Sequence, residues 1–117
     1  MLRFKDKTSF AERKDSSARL QAKHGNDICP VVVEPINENT PPISKNKFLV
    51  PRDYTIGQFV YVVRRMLVDK LPLTQALFVL VRNVLPPTSA TMDQIFEDYH
   101  DADGILYVEY SLENTFG

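Results

Sequence analysis

Three times this sequence sets a serine or threonine three places ahead of a glutamate or glutamine: Ser9 and Glu12, Thr55 and Gln58, Thr91 and Gln94. Each pair can close a capping box, the hydroxyl accepting a backbone N–H of the first turn and the acid or amide reaching back to the cap. Three helix starts are thereby marked, and the stretches between them must supply the sheet. The first box predicts a helix from about Phe10 to Lys23, closed near Gly25-Asn26, where left-handed backbone is cheap. Its apolar stripe is thin (Phe10, Ala18, Leu20), which suits a helix laid on a core built elsewhere. The second box opens a helix from Thr55 to about Val68. There Ile56, Phe59, Val60, Val63, Met66 and Leu67 recur at the spacing of a core-facing stripe. The third opens a short helix with Met92, Ile95, Phe96 and Tyr99 on one side.

Between these starts the chain reads as strands. Ile28–Glu34 is β-branched, and Pro30 marks an edge or a strand start. Residues 35–44 are a proline- and asparagine-rich loop, and Lys47–Pro51 is a second strand, giving an antiparallel hairpin. Ala76–Val81 is short and continuously apolar, the pattern of a central strand covered on both faces. Asp101–Gly104 is a turn, Ile105–Tyr110 the last strand, and residues 111–117 a polar tail. The division is therefore a charged helical extension (1–27), a core (28–110) and the tail. From residue 28 the order is strand, strand, helix, strand, short helix, strand. That is the order of a ubiquitin-like β-grasp in the α+β class. Two hairpins split by a helix can also pair differently, so order alone leaves the pairing open.

Composition narrows the function. The 117 residues suit one domain, with 44% apolar and 25% charged side chains. A net charge of −1 gives no electrostatic footprint for nucleic acid. The longest apolar run falls far short of the roughly 20 residues of a spanning helix, and Met1–Lys7 lacks the apolar region of a secretion signal. A soluble intracellular domain is expected. The single cysteine, Cys29, excludes an intramolecular disulfide and a multi-cysteine zinc site. Inside an apolar strand it reads as a small buried hydrophobe rather than a nucleophile for His24 or His100. Glu97, Asp98, Asp101 and Asp103 lack the ligand spacing of a calcium loop, and the four glycines are too scattered to cradle phosphate. No enzyme activity, metal or cofactor is expected.

The tail adds a sharper signal. Asp103-Gly104-Ile105-Leu106-Tyr107-Val108-Glu109-Tyr110-Ser111-Leu112-Glu113-Asn114-Thr115-Phe116-Gly117 closely resembles the C-terminus of the autophagy ubiquitin-like modifiers of the GABARAP and light-chain type. So does Lys47-Phe48-Leu49-Val50-Pro51, followed by Thr55-Ile56-Gly57-Gln58-Phe59. The likeness runs from about Phe4 to Gly117. It implies two N-terminal helices on a ubiquitin-like core, the first near Phe4–Lys7.

The resemblance also implies conjugation rather than catalysis. Activating and conjugating enzymes would pass Gly117, presented by Thr115 and Phe116, onto phosphatidylethanolamine. A processing cysteine protease would expose the glycine and later remove the lipid. The protein would work in the cytoplasm and on autophagosome membranes. There it would bind cargo receptors carrying an aromatic residue, two spacers and an aliphatic residue. Carried over by position, the aromatic pocket comprises Leu20, Pro30, Val32, Lys47, Leu49 and Ile105. The aliphatic pocket comprises Phe48, Val50, Pro51, Tyr54, Phe59 and Val62, of which Phe59 and Val62, like Val32, also read as plain core. Lys45, Lys47, Arg64 and Arg65 would steer acidic flanks. The alternative is a soluble peptide-binding module whose tail is never conjugated. This chain departs from the family pattern at Ser16 (commonly acidic), Asp27 (commonly basic), Met66 (commonly arginine), Ile105 (commonly phenylalanine), Leu112 (commonly glycine), and in the link Val68-Asp69-Lys70.

Overall fold

The computed structural model describes residues 2–72 and 74–112. The elements in chain order are α1 (Phe4–Lys7), α2 (Phe10–His24), a single 3-10 turn (Gly25–Asp27), β1 (Ile28–Pro35) and β2 (Lys47–Pro51). They continue with α3 (Ile56–Met66), β3 (Leu77–Leu80), α4 (Met92–Tyr99) and β4 (Leu106–Leu112). All three capping boxes form: Ser9, Thr55 and Thr91 each accept a backbone N–H three residues on, and the side chains of Glu12, Gln58 and Gln94 reach back.

The sheet order is β2-β1-β4-β3, with β1 and β4 parallel at the centre and both outer pairs antiparallel. A hairpin crossed by a helix, with the last strand returning parallel to the first, is the ubiquitin-like β-grasp. The order leaves the pairing ambiguous; burial of β1 on both faces resolves it, since Val31, Val32 and Val33 are all under 4% exposed. One face of the sheet carries the main core. There Cys29, Val31, Val33, Phe48, Val50, Leu106, Val108 and Tyr110 pack beneath Ile56, Phe59 and Val63 of α3 and Met92, Ile95 and Phe96 of α4. The other face carries α1 and α2.

Three expectations are corrected. The apolar run expected as a central strand is β3, at the edge of the sheet. Its uniform apolarity reflects side chains covered on both faces, Val79 on one and Leu80 on the other, not a strand on each side. Helix α3 ends at Met66 rather than Val68. Leu67 turns extended to bridge Ile43, and the N–H of Val68 goes to the carbonyl of Pro42, so tertiary pairing wins over the helical repeat. Strand β4 runs through Ser111 and Leu112, both buried, so the core extends two residues past the boundary expected at 110. The pairing of Leu77 with Leu112 and of Phe78 with Ser111 accounts for this.

Candidate functional site

The register of the β1–β2 hairpin determines what its open edge offers. Val33 donates to the carbonyl of Asn46 (2.8 Å) and Arg52 to that of Asp27 (3.0 Å), so positions 27, 29, 31 and 33 of the first strand face β2. Antiparallel alternation then turns the N–H and C=O groups of Lys47 and Leu49 away from β1, towards the free edge. Pro30, opposite Leu49, needs no donor on that side, and β4 begins its pairing only at Val31. A proline is tolerated there in an otherwise interior strand for that reason.

Side chains of β2 alternate as well. Lys47 and Leu49 are exposed on the α2 side, while Phe48 and Val50 are buried towards α3. Between β2, β1 and the two N-terminal helices lies a cavity of about 420 Å³. Leu20, Pro30, Val32, Lys47, Leu49 and Ile105, the six residues expected round one pocket, all line it. So do Phe4, Ser16, Val31, Lys45 and Phe48. Phe4 had no signal in composition, because a four-residue helix shows no periodicity. The polar lining is cationic or neutral. The Lys45 ammonium sits 5.3 Å from the centre of the Phe48 ring and that of Lys47 5.3 Å from the Phe4 ring, and no carboxylate lines the space among the described residues.

The second set of six is distributed differently. Phe59 is fully buried and meets Phe48 edge-on at 5.9 Å, and Val50 is buried beside them in the core. Pro51 is half-buried. Tyr54 and Val62 line a separate open groove along α3, together with Tyr61 and Arg65. The structure thus gathers the aromatic set round one space and divides the aliphatic set between core and surface. Gly117, Thr115 and Phe116 lie outside the described residues.

A polar latch holds α2 at its distance from the sheet and places Ile105 in the cavity wall. Asp103, buried, accepts from Arg13 Nε (3.0 Å), from the Tyr107 hydroxyl (2.5 Å) and from the N–H of Ile105 (2.9 Å). Its carbonyl accepts from the Ser17 hydroxyl. Burial and the hydrogen bond to Asp103 push the Tyr107 hydroxyl well above the usual tyrosine range, so it remains a donor. Gly104 has φ +83°, and a Cβ there would lie 2.7 Å from Ser17 Oγ; both the backbone conformation and the close approach require glycine.

Cys29 has no exposed surface, and burial pushes its thiol up to about 11, the opposite of an activated nucleophile. His100 stacks on Phe96 at 5.0 Å. Among the described residues no group of three or more His, Cys, Asp or Glu side chains is placed to hold a metal. Among them, too, no helix is long and apolar enough to cross a membrane.

Fold and site together define a ubiquitin-like β-grasp protein with two added N-terminal helices. The profile of the family described as "Autophagy protein Atg8 ubiquitin like" matches residues 12–117, and the chain belongs to that family. It is 47% identical over 115 residues to Autophagy-related protein 8 of Pichia angusta, covering 97% of this chain and 90% of that protein. It is 48% identical to the Candida albicans protein of the same description, over 97% of this chain and 83% of that one. Among solved structures it resembles Trypanosoma brucei ATG8, with TM-score 0.89, 37% identity and coverage of 100% and 99%. It also resembles Plasmodium falciparum Atg8 in complex with a Plasmodium falciparum Atg3 peptide, with TM-score 0.82, 34% identity and coverage of 95% and 96%. The chain is an autophagy modifier of the ubiquitin-like type.

Proposed function

We propose that this modifier is conjugated through Gly117 to phosphatidylethanolamine and docks receptor peptides of the form aromatic-x-x-aliphatic along β2. The observation that carries the docking reading is the open β2 edge beside a 420 Å³ cavity. A peptide strand added to that edge takes its affinity from the free backbone groups of Lys47 and Leu49, and its selectivity from side-chain pockets. In an extended chain, residues three apart point to opposite faces. An aromatic side chain entering the cavity on the α2 side therefore sends the aliphatic one to the α3 side of β2. There Pro51, Tyr54 and Val62 are the accessible members of the second set, over Phe48, Val50 and Phe59. Lys45 and Lys47 favour peptides with acidic flanks, chiefly through the association rate.

Conjugation requires an activating enzyme, a conjugating enzyme and a processing cysteine protease as partners. The Plasmodium relative solved with an Atg3 peptide lends support to the second of these. Two acyl chains hold a protein on a bilayer stably where one does not, so the lipid moves the protein from cytoplasm to autophagosome membrane. The test is recovery in the membrane fraction, with intact mass, for wild type and Gly117→Ala. Loss of the lipid adduct in the variant is the expected result. Equal lipidation would remove Gly117 from its role, and a wild type never found lipidated would leave a soluble peptide-binding module.

A further inference from the structure

Helix α1 is four residues long and has no buried residue. A single turn does not persist alone, because nucleation costs more than one hydrogen bond returns. Its position therefore depends on what grips it. The Arg3 guanidinium donates to the carbonyls of Pro35 (2.7 Å) and Ile36 (3.0 Å) and meets the Glu109 carboxylate at 3.1 Å. The N–H of Phe4 donates to the Glu34 carboxylate at 2.8 Å, and Lys5 pairs with Asp101. Glu34 and Glu109 are register partners across the parallel β1–β4 seam. Like charges placed opposite on neighbouring strands repel. The clasp of Arg3 and the Phe4 N–H relieves that repulsion, which gives α1 a reason to dock at this seam.

What the clasp delivers to the cavity is the Phe4 ring. It is half-buried, 6.4 Å from the Tyr107 ring, and lies under the Lys47 ammonium. We propose that Phe4 is a specificity-determining wall of the aromatic cavity, and that Arg3, braced by Glu34 and Glu109, is a positioning residue acting through it. This rests on the docking reading above and names a further part of the same site. Docked, α1 gives an incoming ring an aromatic neighbour, which the aliphatic walls Leu20, Pro30 and Ile105 do not provide. Undocked, the cavity loses a wall and Lys47 loses its seat. Docking of so short an element is a local equilibrium, so the apparent dissociation constant is the intrinsic one divided by the docked fraction.

The experiment titrates one tryptophan-x-x-leucine peptide against wild type, Phe4→Ala, Arg3→Ala and the double variant, by calorimetry and stopped-flow. Phe4→Ala should weaken binding about five- to tenfold, as loss of an aromatic contact at a peptide anchor does, and mainly through faster dissociation. Arg3→Ala should weaken it about two- to fivefold by lowering the docked fraction. On the Phe4→Ala background Arg3→Ala should add nothing, since it acts through the ring already removed. Phe4→Tyr should keep near wild-type affinity. Unfolding midpoints should fall more in Arg3→Ala, which leaves Glu34 and Glu109 facing each other, than in Phe4→Ala, whereas affinity falls more in Phe4→Ala; the opposite ranking separates this role from a structural one. Wild-type affinity in Phe4→Ala would overturn the inference alone, and so would strictly additive effects in the double variant. Failure of the wild type to bind such a peptide would overturn the docking reading with it.

Discussion

The two faces of the sheet are covered by different physics. Towards α3 and α4 the contact is dry: Phe59, Val63 and Met92 have no exposed surface, and they lie on Cys29, Val31, Val33 and Leu106. Towards α1 and α2 the contact is directional. Arg13 and Ser17 hold Asp103, Arg3 holds Glu109, and the only buried residue of α2 is Ser17. Close-packed apolar side chains leave no room between layers. Hydrogen-bonded latches fix helices at points and leave space between those points, and here the space is the 420 Å³ cavity. One face supplies stability; the other gives up some of it and leaves a cavity open.

That contrast breaks if the dry face proves dispensable. Phe59→Ala is expected to cost about 3–5 kcal/mol of unfolding free energy, the range for a fully buried aromatic, measured by urea titration. A loss below about 1 kcal/mol would mean the core can collapse round the gap. The latched face should respond next. Asp103→Ala strips the partner from an Arg13 side chain only 11% exposed, and stranding such a charge costs about 3 kcal/mol. The same variant should weaken peptide binding, because the turn that seats Ile105 loses its anchor; unchanged affinity would detach the latch from the site.

Leu49→Ala sharpens the comparison. Leu49 is 39% exposed, so stability should stay within about 0.5 kcal/mol of wild type. Affinity for an aromatic-x-x-aliphatic peptide should fall by about 1–3 kcal/mol. Calorimetry showing unchanged affinity would move the docking site elsewhere. The last expected effect appears only at alkaline pH. Burial raises the Cys29 thiol from 9.0 to about 11, so the folded chain keeps this proton to higher pH than the unfolded one. The resulting stability is complete below pH 9 and drains away as pH climbs towards 11. Tyr110, pushed up to about 12 by burial, continues the trend. Cys29→Ala should lower the baseline but flatten the slope of urea midpoint against pH over that window. An unaltered slope would show that the thiol takes no part.

The helix starts were legible because a capping box is local: cap and returning side chain sit three residues apart, whatever surrounds them. The α3 stripe was legible for a similar reason, its period being a property of the helix itself. The end of α3 was not, because Leu67 leaves the helix to pair with Ile43, 24 positions back in the chain. Nor was the edge position of β3, since an apolar run records burial of side chains and is silent about which backbone lies beside it. In the candidate site, the six aromatic-set residues came from family resemblance, and the structure gathers them round one cavity. Phe4 escaped because its place beside the cavity depends on a clasp to Glu34 and Glu109, more than a hundred residues away in the second case.

By itself, then, the sequence determined where α2, α3 and α4 begin, which faces of α3 and α4 are apolar, that β1 and β2 form a hairpin, and which family the chain resembles. Each of these is written in neighbours a few residues apart or in motifs long enough to compare. Tertiary structure alone decided the edge position of β3, the extension of β4 to Leu112, the depth of Asp103 and the opening between α2 and β2. All four depend on free energies shared between distant segments: a parallel pairing of β1 with β4, a glycine that lets Ser17 approach, a buried carboxylate satisfied from α2 and β4 at once. No short window of sequence contains both partners of such an interaction, so only the folded chain can display it.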